Sequence, residues 1–156
     1  MILTPLDEPA LARLLEAAVA GADPLDVMPP VDGPPGWTPE RRAAFLEFHR
    51  ARSLRPETAV ERTWVVDVAG TAVGAARLER HGDAVEAGIW LSRDVRGRGI
   101  GKQVTASLLD LAKDGDATKF IASTTAGNRG ARTLLSGIGA SLATEGDDVT
   151  AELPLA

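Results

Sequence analysis

The spacing of hydrophobic residues predicts that the chain opens with one strand and two helices. Residues 2–6 form a short apolar run typical of a strand, and residues 8–20 repeat their apolar positions on one helical face. Thr38 is typical of a helix N-cap, and the apolar positions after it indicate a second helix over residues 38–54. Residues 22–39 hold six prolines without an apolar period, so we expect a loop, and its length suggests a role in binding.

Alternating apolar and polar residues predict a sheet in the remainder of the chain. The predicted strands are residues 62–69, 72–80, 84–91, 119–125, 141–144 and 149–153. Two further helices are predicted over residues 99–113 and 130–136. The order β-α-α-β-β-β-α-β-α-β-β has no internal repeat, and a chain of 156 residues is expected to form one α/β domain spanning residues 1–156.

Composition narrows the function classes. The chain has no cysteine, which excludes disulfides, thiolate metal sites and cysteine nucleophiles. A net charge of -5 argues against nucleic acid as the main partner and suits a cationic one. No basic region followed by a long apolar run is found at the N-terminus, so we expect a cytoplasmic protein without a membrane segment. The alanine-rich composition is typical of high-GC bacterial genomes.

A glycine-rich segment between an apolar strand and an amphipathic helix carries the strongest chemical signal. A Walker loop needs a glycine where the chain has Arg96 and a hydroxyl where it has Gln103, and a dinucleotide fingerprint needs a glycine at Lys102. The remaining pattern, Arg-x-x-Gly-x-Gly, places backbone N–H groups at a helix N-terminus, where they can bind an anion. We therefore predict a pyrophosphate site, the alternative being a glycine-rich turn with solvated arginines. The predicted site comprises Arg96, Gly97, Arg98, Gly99, Ile100, Gly101 and Lys102.

These residues resemble motif A of the GNAT superfamily of acetyl-CoA-dependent N-acetyltransferases, whose pattern is Arg/Gln-x-x-Gly-x-Gly/Ala. The resemblance covers residues 62–153, because the segment from Asn128 onward is similar to the second half of the family. It implies a GNAT fold, with a mixed, mostly antiparallel sheet of about six to seven strands and helices on both faces. In this fold, strands 84–91 and 119–125 run parallel and splay apart at the cofactor site.

The resemblance also implies the cosubstrate and the residues that bind it. Acetyl-CoA would place its pyrophosphate on the glycine-rich segment, and no metal is implied. Its pantetheine arm would pair with the backbone of Ile89 and Leu91 as a partial extra strand. Asn128 matches the family asparagine that bonds this arm, although an asparagine before a helix is also a common N-cap.

Glu86 is the candidate catalytic residue. A primary amine has a pKa of about 10, so a base or a water relay has to remove its proton before transfer. Glu86 corresponds to the acidic residue that many family members use, and a solvent-facing carboxylate is the alternative interpretation. The usual general acid of the family is a tyrosine at the position of Leu135, yet the chain has no tyrosine. The thiolate proton would then come from water, from the ammonium product, or from a hydroxyl such as Thr133 or Ser136.

Trp37 and Trp90 are the candidate acceptor-binding residues, with core packing as the alternative for both. His49 is expected to be a half-buried helix residue without a role in binding. The acidic residues of the loop, Asp23, Asp26 and Asp32, are the other candidates for attracting a cation.

We therefore expect direct acetyl transfer, in a ternary complex, to a primary amine of a small molecule such as an antibiotic, a polyamine or an amino-acid derivative. Acetylation of a protein N-terminus or lysine is the first alternative. A non-catalytic module that senses acyl-CoA is the second. The sequence does not identify the acceptor, the acyl chain length or the oligomeric state, and a homodimer is compatible with it.

Overall fold

A computed structural model describes residues 1–155 and contains one seven-stranded sheet flanked by helices. The strands are β1 Ile2–Pro5, β2 Glu61–Val68, β3 Thr71–His81, β4 Ala84–Leu91, β5 Lys119–Thr125, β6 Ser141–Glu145 and β7 Asp148–Pro154. The helices are α1 Glu8–Gly21, α2 Pro24–Val27, α3 Pro39–His49, α4 Ile100–Lys113 and α5 Arg129–Gly137. Among residues 1–155, no helix has the length and apolar character needed to cross a bilayer.

The strand order β1-β2-β3-β4-β5-β7-β6 confirms the predicted mixed sheet. Neighbouring strands run antiparallel, with the exception of β4 and β5, which are parallel and joined through α4. A parallel pair needs such a crossover, because the chain has to return to the edge of the sheet at which it started.

Helices cover both faces because adjacent residues of each central strand point in opposite directions. On one face, Val65 is buried against α1 and α3, with Leu14 and Phe45 fully enclosed beside it. On the other face, Val66 is buried against α4, with Leu108 fully enclosed. Two separate cores therefore hold the sheet between its helices.

The parallel pair parts halfway along β4. Residue pairing between β4 and β5 begins at Ala84 and ends at Ala87, opposite Ala122. Strand β4 nevertheless stays paired with β3 as far as Leu91. Its last four residues, Gly88 to Leu91, therefore present a backbone edge to the splay between β4 and β5, as the resemblance implied.

The proline-rich segment of residues 22–39 is more ordered than its lack of an apolar period indicated. It contains α2, and the side chains of Val27 and Met28 are buried in the core. The Arg41 guanidinium donates hydrogen bonds to the carbonyls of Val31, Gly33, Pro34 and Gly36. The helix predicted to run to Leu54 is divided into two types. The α-helix α3 ends at His49, and the π-helical turn Arg50–Leu54 follows it directly.

We predict that Gly74→Ala destabilises the protein. Gly74 lies in β3 opposite Leu91, and a methyl group there would stand 2.1 Å from the Trp90 carbonyl oxygen and 3.0 Å from the Leu91 Cα. Because both obstacles are backbone atoms, β4 has to move, and the free energy of unfolding should fall by about 1–3 kcal/mol in urea denaturation.

Gly137→Ala is the matched control, since a methyl group at Gly137 meets no atom within 4 Å. Its free energy of unfolding should stay within about 1 kcal/mol of the parent protein. Equal stability of the two variants would contradict the close approach of β3 and β4.

Candidate functional site

The open edge of β4 presents the backbone groups of alternate residues. Ser92 donates its N–H to the Val73 carbonyl at 2.8 Å, so the groups of Ser92 and Trp90 face β3. By the alternation of a strand, the groups of Ile89 and Leu91 face the splay. The Arg96 side chain donates from Nε to the Leu91 carbonyl at 3.2 Å. An extended ligand in the splay would therefore meet the backbone of Ile89 and the N–H of Leu91.

The glycine-rich segment lies at the mouth of this splay and ends at the first turn of α4. Gly97 and Gly99 have φ angles of +78° and +79°, which favour glycine, and Gly99 is the helix N-cap. The first backbone bond of the helix joins the Gln103 N–H to the Gly99 carbonyl, so the N–H groups of the preceding turn have no helical partner. With the helix dipole and the exposed side chains of Arg96, Arg98 and Lys102, they form a concentration of positive potential suited to an anion.

The three glycines of the segment have different structural roles. A methyl group added at Gly97 or Gly99 would meet no protein atom within 4 Å, so it would project into the space in front of the helix. A methyl group at Gly101 would instead lie 3.2 Å from the Leu134 Cδ1 atom. Gly101 therefore allows α5 to approach α4, a role that the sequence pattern did not separate from anion binding.

Asn128 occupies the N-cap of α5, as its alternative interpretation predicted. Its Oδ1 atom accepts the Ala131 N–H at 3.0 Å, and the residue is exposed. The contact with a cofactor stays a prediction. Leu135, at the position of the family tyrosine, is buried against Ala122 and Ala151, whereas the neighbouring hydroxyl residues of α5 are exposed.

A cavity of about 410 Å³ lies on the face of the sheet that α1 and α3 cover. It begins at the open end of β4 and is bounded by β2, β3, the end of α3 and residues 25–29, which we call the α2 segment. Its lining includes Trp90 and Ile89 of β4, Glu61 and Thr63 of β2, Arg77 of β3, and Phe48 and His49 of α3. A second cavity, of about 280 Å³, lies near the C-terminal end of α4 and away from the splay.

The two tryptophans proposed for acceptor binding are placed differently. Trp90 lines the 410 Å³ cavity and also packs against the α1 and α3 core. Trp37 is not among the lining residues. Its indole packs edge-on against Phe45, with 5.7 Å between ring centroids, and donates from Nε1 to the Ala22 carbonyl at 2.9 Å. Trp37 therefore fastens the proline-rich segment to the core.

Glu86 is tied to the cavity through Arg77. The Arg77 Nη2 atom lies 3.1 Å from a Glu86 carboxylate oxygen, and the Arg77 side chain crosses over Gly88, which lines the cavity. A methyl group on Gly88 would stand 2.7 Å from the Arg77 Nε atom, so this crossing depends on the glycine. Glu86 is thus half-buried and ion-paired, it is not itself among the lining residues, and its role as a base stays a prediction.

Glu86 belongs to a larger charged cluster on this face. Arg77 also lies 3.4 Å from Glu79 and 3.6 Å from Glu61, and Arg52 contacts both of these carboxylates at 2.5 Å. With histidine counted as neutral, three carboxylates share two guanidinium groups, which leaves one negative charge in excess. The cluster therefore favours a cation in the cavity that Glu61 and Arg77 line.

Three of the nearby groups are potential metal ligands. Atoms of Glu79, His81 and Glu86 approach within 4.8 Å of one another. Arg77 contacts both carboxylates, and its fixed positive charge opposes binding of a metal cation among them.

His49 is more buried than the helical pattern predicted. Only 7% of the residue is exposed, and its ring packs edge-on against Phe45, with 4.6 Å between ring centroids. Burial, with a smaller contribution from the positive charge of Arg52, lowers the pKa of His49 to about 4. The imidazole is therefore neutral at physiological pH, and it borders the 410 Å³ cavity without repelling a cation.

We predict that His49→Phe flattens the acid limb of the stability profile. The unfolded chain binds a proton at His49 below a pKa of 6.5, whereas the folded chain binds it only near pH 4, so stability falls as the pH is lowered through this window. The histidine should contribute about 3 kcal/mol of that loss. The measurement is urea denaturation at several pH values between these limits.

The reference for this measurement is His81→Phe, which alters the other histidine of the chain. The parent and His81→Phe should lose stability along similar curves, since the His81 side chain is 48% exposed. Parallel curves for His49→Phe and the parent would show that His49 is not buried in the neutral form.

Comparison with known proteins extends the resemblance to the N-terminal part of the chain. A family model described as an acetyltransferase (GNAT) domain matches residues 1–141. A search of curated proteins found no match. The structural search found many similar chains.

Three solved structures illustrate the similarity. A dodecameric spermidine N-acetyltransferase from Vibrio cholerae, in an intermediate state, has a TM-score of 0.74 at 15% identity over 99% of this chain and 93% of that one. A ribosomal-protein-alanine N-acetyltransferase from Brucella melitensis has a TM-score of 0.68 at 20% identity over 99% and 100%. RimL, a ribosomal L7/L12 alpha-N-protein acetyltransferase in complex with coenzyme A, has a TM-score of 0.73 at 16% identity over 98% and 93%. At these identities the comparison shows a shared fold.

Proposed function

Because the chain belongs to the GNAT family of acetyltransferases, we propose that it transfers the acetyl group of acetyl-CoA to a primary amine of a small molecule. It is an N-acetyltransferase, and its family uses acetyl-CoA. The observation that carries the choice of acceptor is the cavity of about 410 Å³ that meets the open edge of β4. In this proposal, residues 1–156 act as a single catalytic domain organised around one sheet.

The proposed cofactor site joins the glycine-rich segment to the splay. The N–H groups of the first turn of α4 would bind the pyrophosphate, with charge from Arg96, Arg98 and Lys102. The pantetheine arm would pair with Ile89 and Leu91 as a short extra strand. The bond from Arg96 to the Leu91 carbonyl supports this arrangement, because it links the anion site to the strand edge. Asn128, at the far side of the splay, is the proposed partner of the arm.

The proposed reaction is a direct transfer without a covalent enzyme intermediate. The neutral amine attacks the thioester carbonyl carbon, a C–N bond forms, the C–S bond breaks, and the amine proton leaves. Glu86 is the proposed acceptor of that proton, directly or through a water molecule beside Gly88. Arg77 holds the Glu86 carboxylate in place through an ion pair of 3.1 Å. Because Leu135 is buried and apolar, protonation of the thiolate falls to water, or to the proton of the attacking nitrogen where Glu86 does not take it.

The walls of the cavity favour a small acceptor over a protein. The cavity is within the size range of small-molecule sites, and the α2 segment closes one side of it. Trp37 and the Arg41 guanidinium hold this segment against the core. The similar structures cover both classes of acceptor, since one is a spermidine acetyltransferase and two are ribosomal-protein acetyltransferases.

An amine panel assayed for release of free thiol from acetyl-CoA tests the proposal. Small primary amines should accelerate release, whereas peptides with a free N-terminus or lysine should not. Peptide-dependent release alone would favour the protein acetyltransferase. Binding of acetyl-CoA with no release in the presence of any amine would favour the non-catalytic module.

We predict that Gly99→Val abolishes coenzyme A binding. The valine side chain would project into the proposed pyrophosphate site. Because this side chain is β-branched, it also disfavours the φ of +79° that Gly99 adopts. Calorimetric titration with coenzyme A should show a loss of affinity of at least about 100-fold, since several phosphate hydrogen bonds are removed.

The control for backbone strain is Gly146→Val in the turn between β6 and β7. Gly146 has a φ of +62° and no atom within 4 Å of an added methyl group, so it matches Gly99 in conformation and space. This variant should retain coenzyme A affinity. Unchanged affinity in Gly99→Val would remove the segment from the cofactor site.

We predict that Glu86→Gln lowers kcat/KM by about 100-fold near neutral pH and by much less near pH 10. At high pH the amine loses its proton to solvent, so the base is no longer needed. The measurement is a pH profile of thiol release with a saturating cosubstrate.

Glu79→Gln is the matched variant, because Glu79 faces Glu86 across β3 and β4 and also contacts Arg77. It removes the same charge from the same cluster and should leave the shape of the pH profile unchanged. Identical profiles for both variants would assign the effect to cluster charge and exclude Glu86 as the base.

A further inference from the structure

Two buried polar atoms in the 410 Å³ cavity have no hydrogen-bond partner. Among the side chains of residues 1–155, only His49 Nε2 and Glu61 Oε2 are buried without one. Both residues line the same cavity, although they lie on different elements. An unsatisfied buried polar atom costs about 1–3 kcal/mol, and such atoms are rare in folded proteins. Glu61 Oε2 has an ion-pair contact with Arg77 Nε at 3.6 Å, which is too long for a hydrogen bond. Because both residues line one cavity, a ligand bound there is the candidate to supply the missing bonds.

The two atoms lie at a distance from the reacting end of the cavity. Glu61 is in β2, which is separated from β4 by one intervening strand, so it lies about 10 Å across the sheet from β4. His49 ends α3, above the same face of the sheet. The amine that is acetylated has to reach the open edge of β4 near Ile89. The unsatisfied atoms therefore meet another part of the acceptor.

The chemistry of the two groups defines that part. A carboxylate only accepts hydrogen bonds, so the ligand group has to donate to Glu61. The excess negative charge of the cluster favours a donor that carries positive charge. His49 is neutral and can accept a bond without repelling a cation. The side chains of Phe48 and Trp90 line the space between the two ends, and they suit an apolar linker.

We propose that Glu61 and His49 form a recognition site for a second, positively charged donor group of the acceptor. Glu61 lies two strands across and three residues along from Ile89, which is about 14 Å. This inference rests on the proposed function, because it assigns one end of the acceptor cavity. His49 and Glu61 are specificity-determining residues in this proposal, and neither touches the reacting atoms.

The test compares α,ω-diaminoalkanes of about four to ten carbons with 1-aminoalkanes of the same length. The parent enzyme should prefer the diamine whose nitrogens span about 14 Å, by at least about tenfold in kcat/KM. His49→Phe should lose most of this preference, because its KM should rise more for the diamine than for the monoamine. His81→Phe should behave as the parent does.

A structural role for His49 is separated by two further measurements. His49→Phe should fold at least as stably as the parent at pH 7, because an aromatic ring replaces an unsatisfied polar one among aromatic neighbours. Calorimetric titration of the diamine into the enzyme without acetyl-CoA should show weaker binding for His49→Phe. Glu61→Gln should lose affinity for the diamine as well, and its thermal unfolding reports any damage from weakening the bonds to Arg52.

The outcomes separate this inference from the proposed function. If His49→Phe keeps the full preference for the diamine, the recognition site is wrong, although amine acetylation stands. If the parent acetylates monoamines and diamines equally and binds neither more tightly, the recognition site is also wrong. If no amine is acetylated but the diamine binds through His49, the site stands and the proposed function fails.

Discussion

The parting of β4 from β5 is the constraint on which the site depends. Four residue pairs hold the two strands together before they diverge, and the backbone of β4 beyond them faces a gap. A strand edge inside a sheet is normally paired, because unmade backbone bonds are costly. The gap is tolerated here because α4 starts beside it and Arg96 bonds one of the exposed carbonyls. The same divergence gives the acceptor cavity an opening onto the strand edge.

Sequence predicted the parts of the protein that local chemistry determines. The limits of β4 and β5 agree with the predicted segments, because apolar strands bounded by turn residues carry a local signal. The glycine-rich segment was recognised from spacing alone, since a helix N-terminus and its charges lie close together in the chain. The separate role of Gly101 was not predicted, because it depends on Leu134, which lies in another helix.

The 410 Å³ cavity was the least predictable part because it is assembled from five distant segments. In the sequence, His49 has the pattern of an ordinary helix residue. Its burial beside Phe45 depends on the packing of α3 against the sheet. The contact of Arg77 with Gly88 could not be predicted, because the two residues are paired across β3 and β4 and are distant in sequence. Gly88 has no side chain, which leaves room for the Arg77 guanidinium. Trp37 was a candidate for acceptor binding because of its position at the end of the loop. Its hydrogen bond to the Ala22 carbonyl depends on the folded path of the loop and could not be predicted.

The hydrogen bonds from Arg41 to the proline-rich segment determine which residues of that segment can change in evolution. One guanidinium holds four carbonyls, and carbonyls are present whatever the side chains are. The side chains of residues 32, 34 and 35 can therefore change while the fastening persists, whereas Gly33 and Gly36 have φ angles of +143° and +91°, which favour glycine. Such changes leave in place residues 25–29, which line the 410 Å³ cavity, so this part of the surface can vary without altering the cavity.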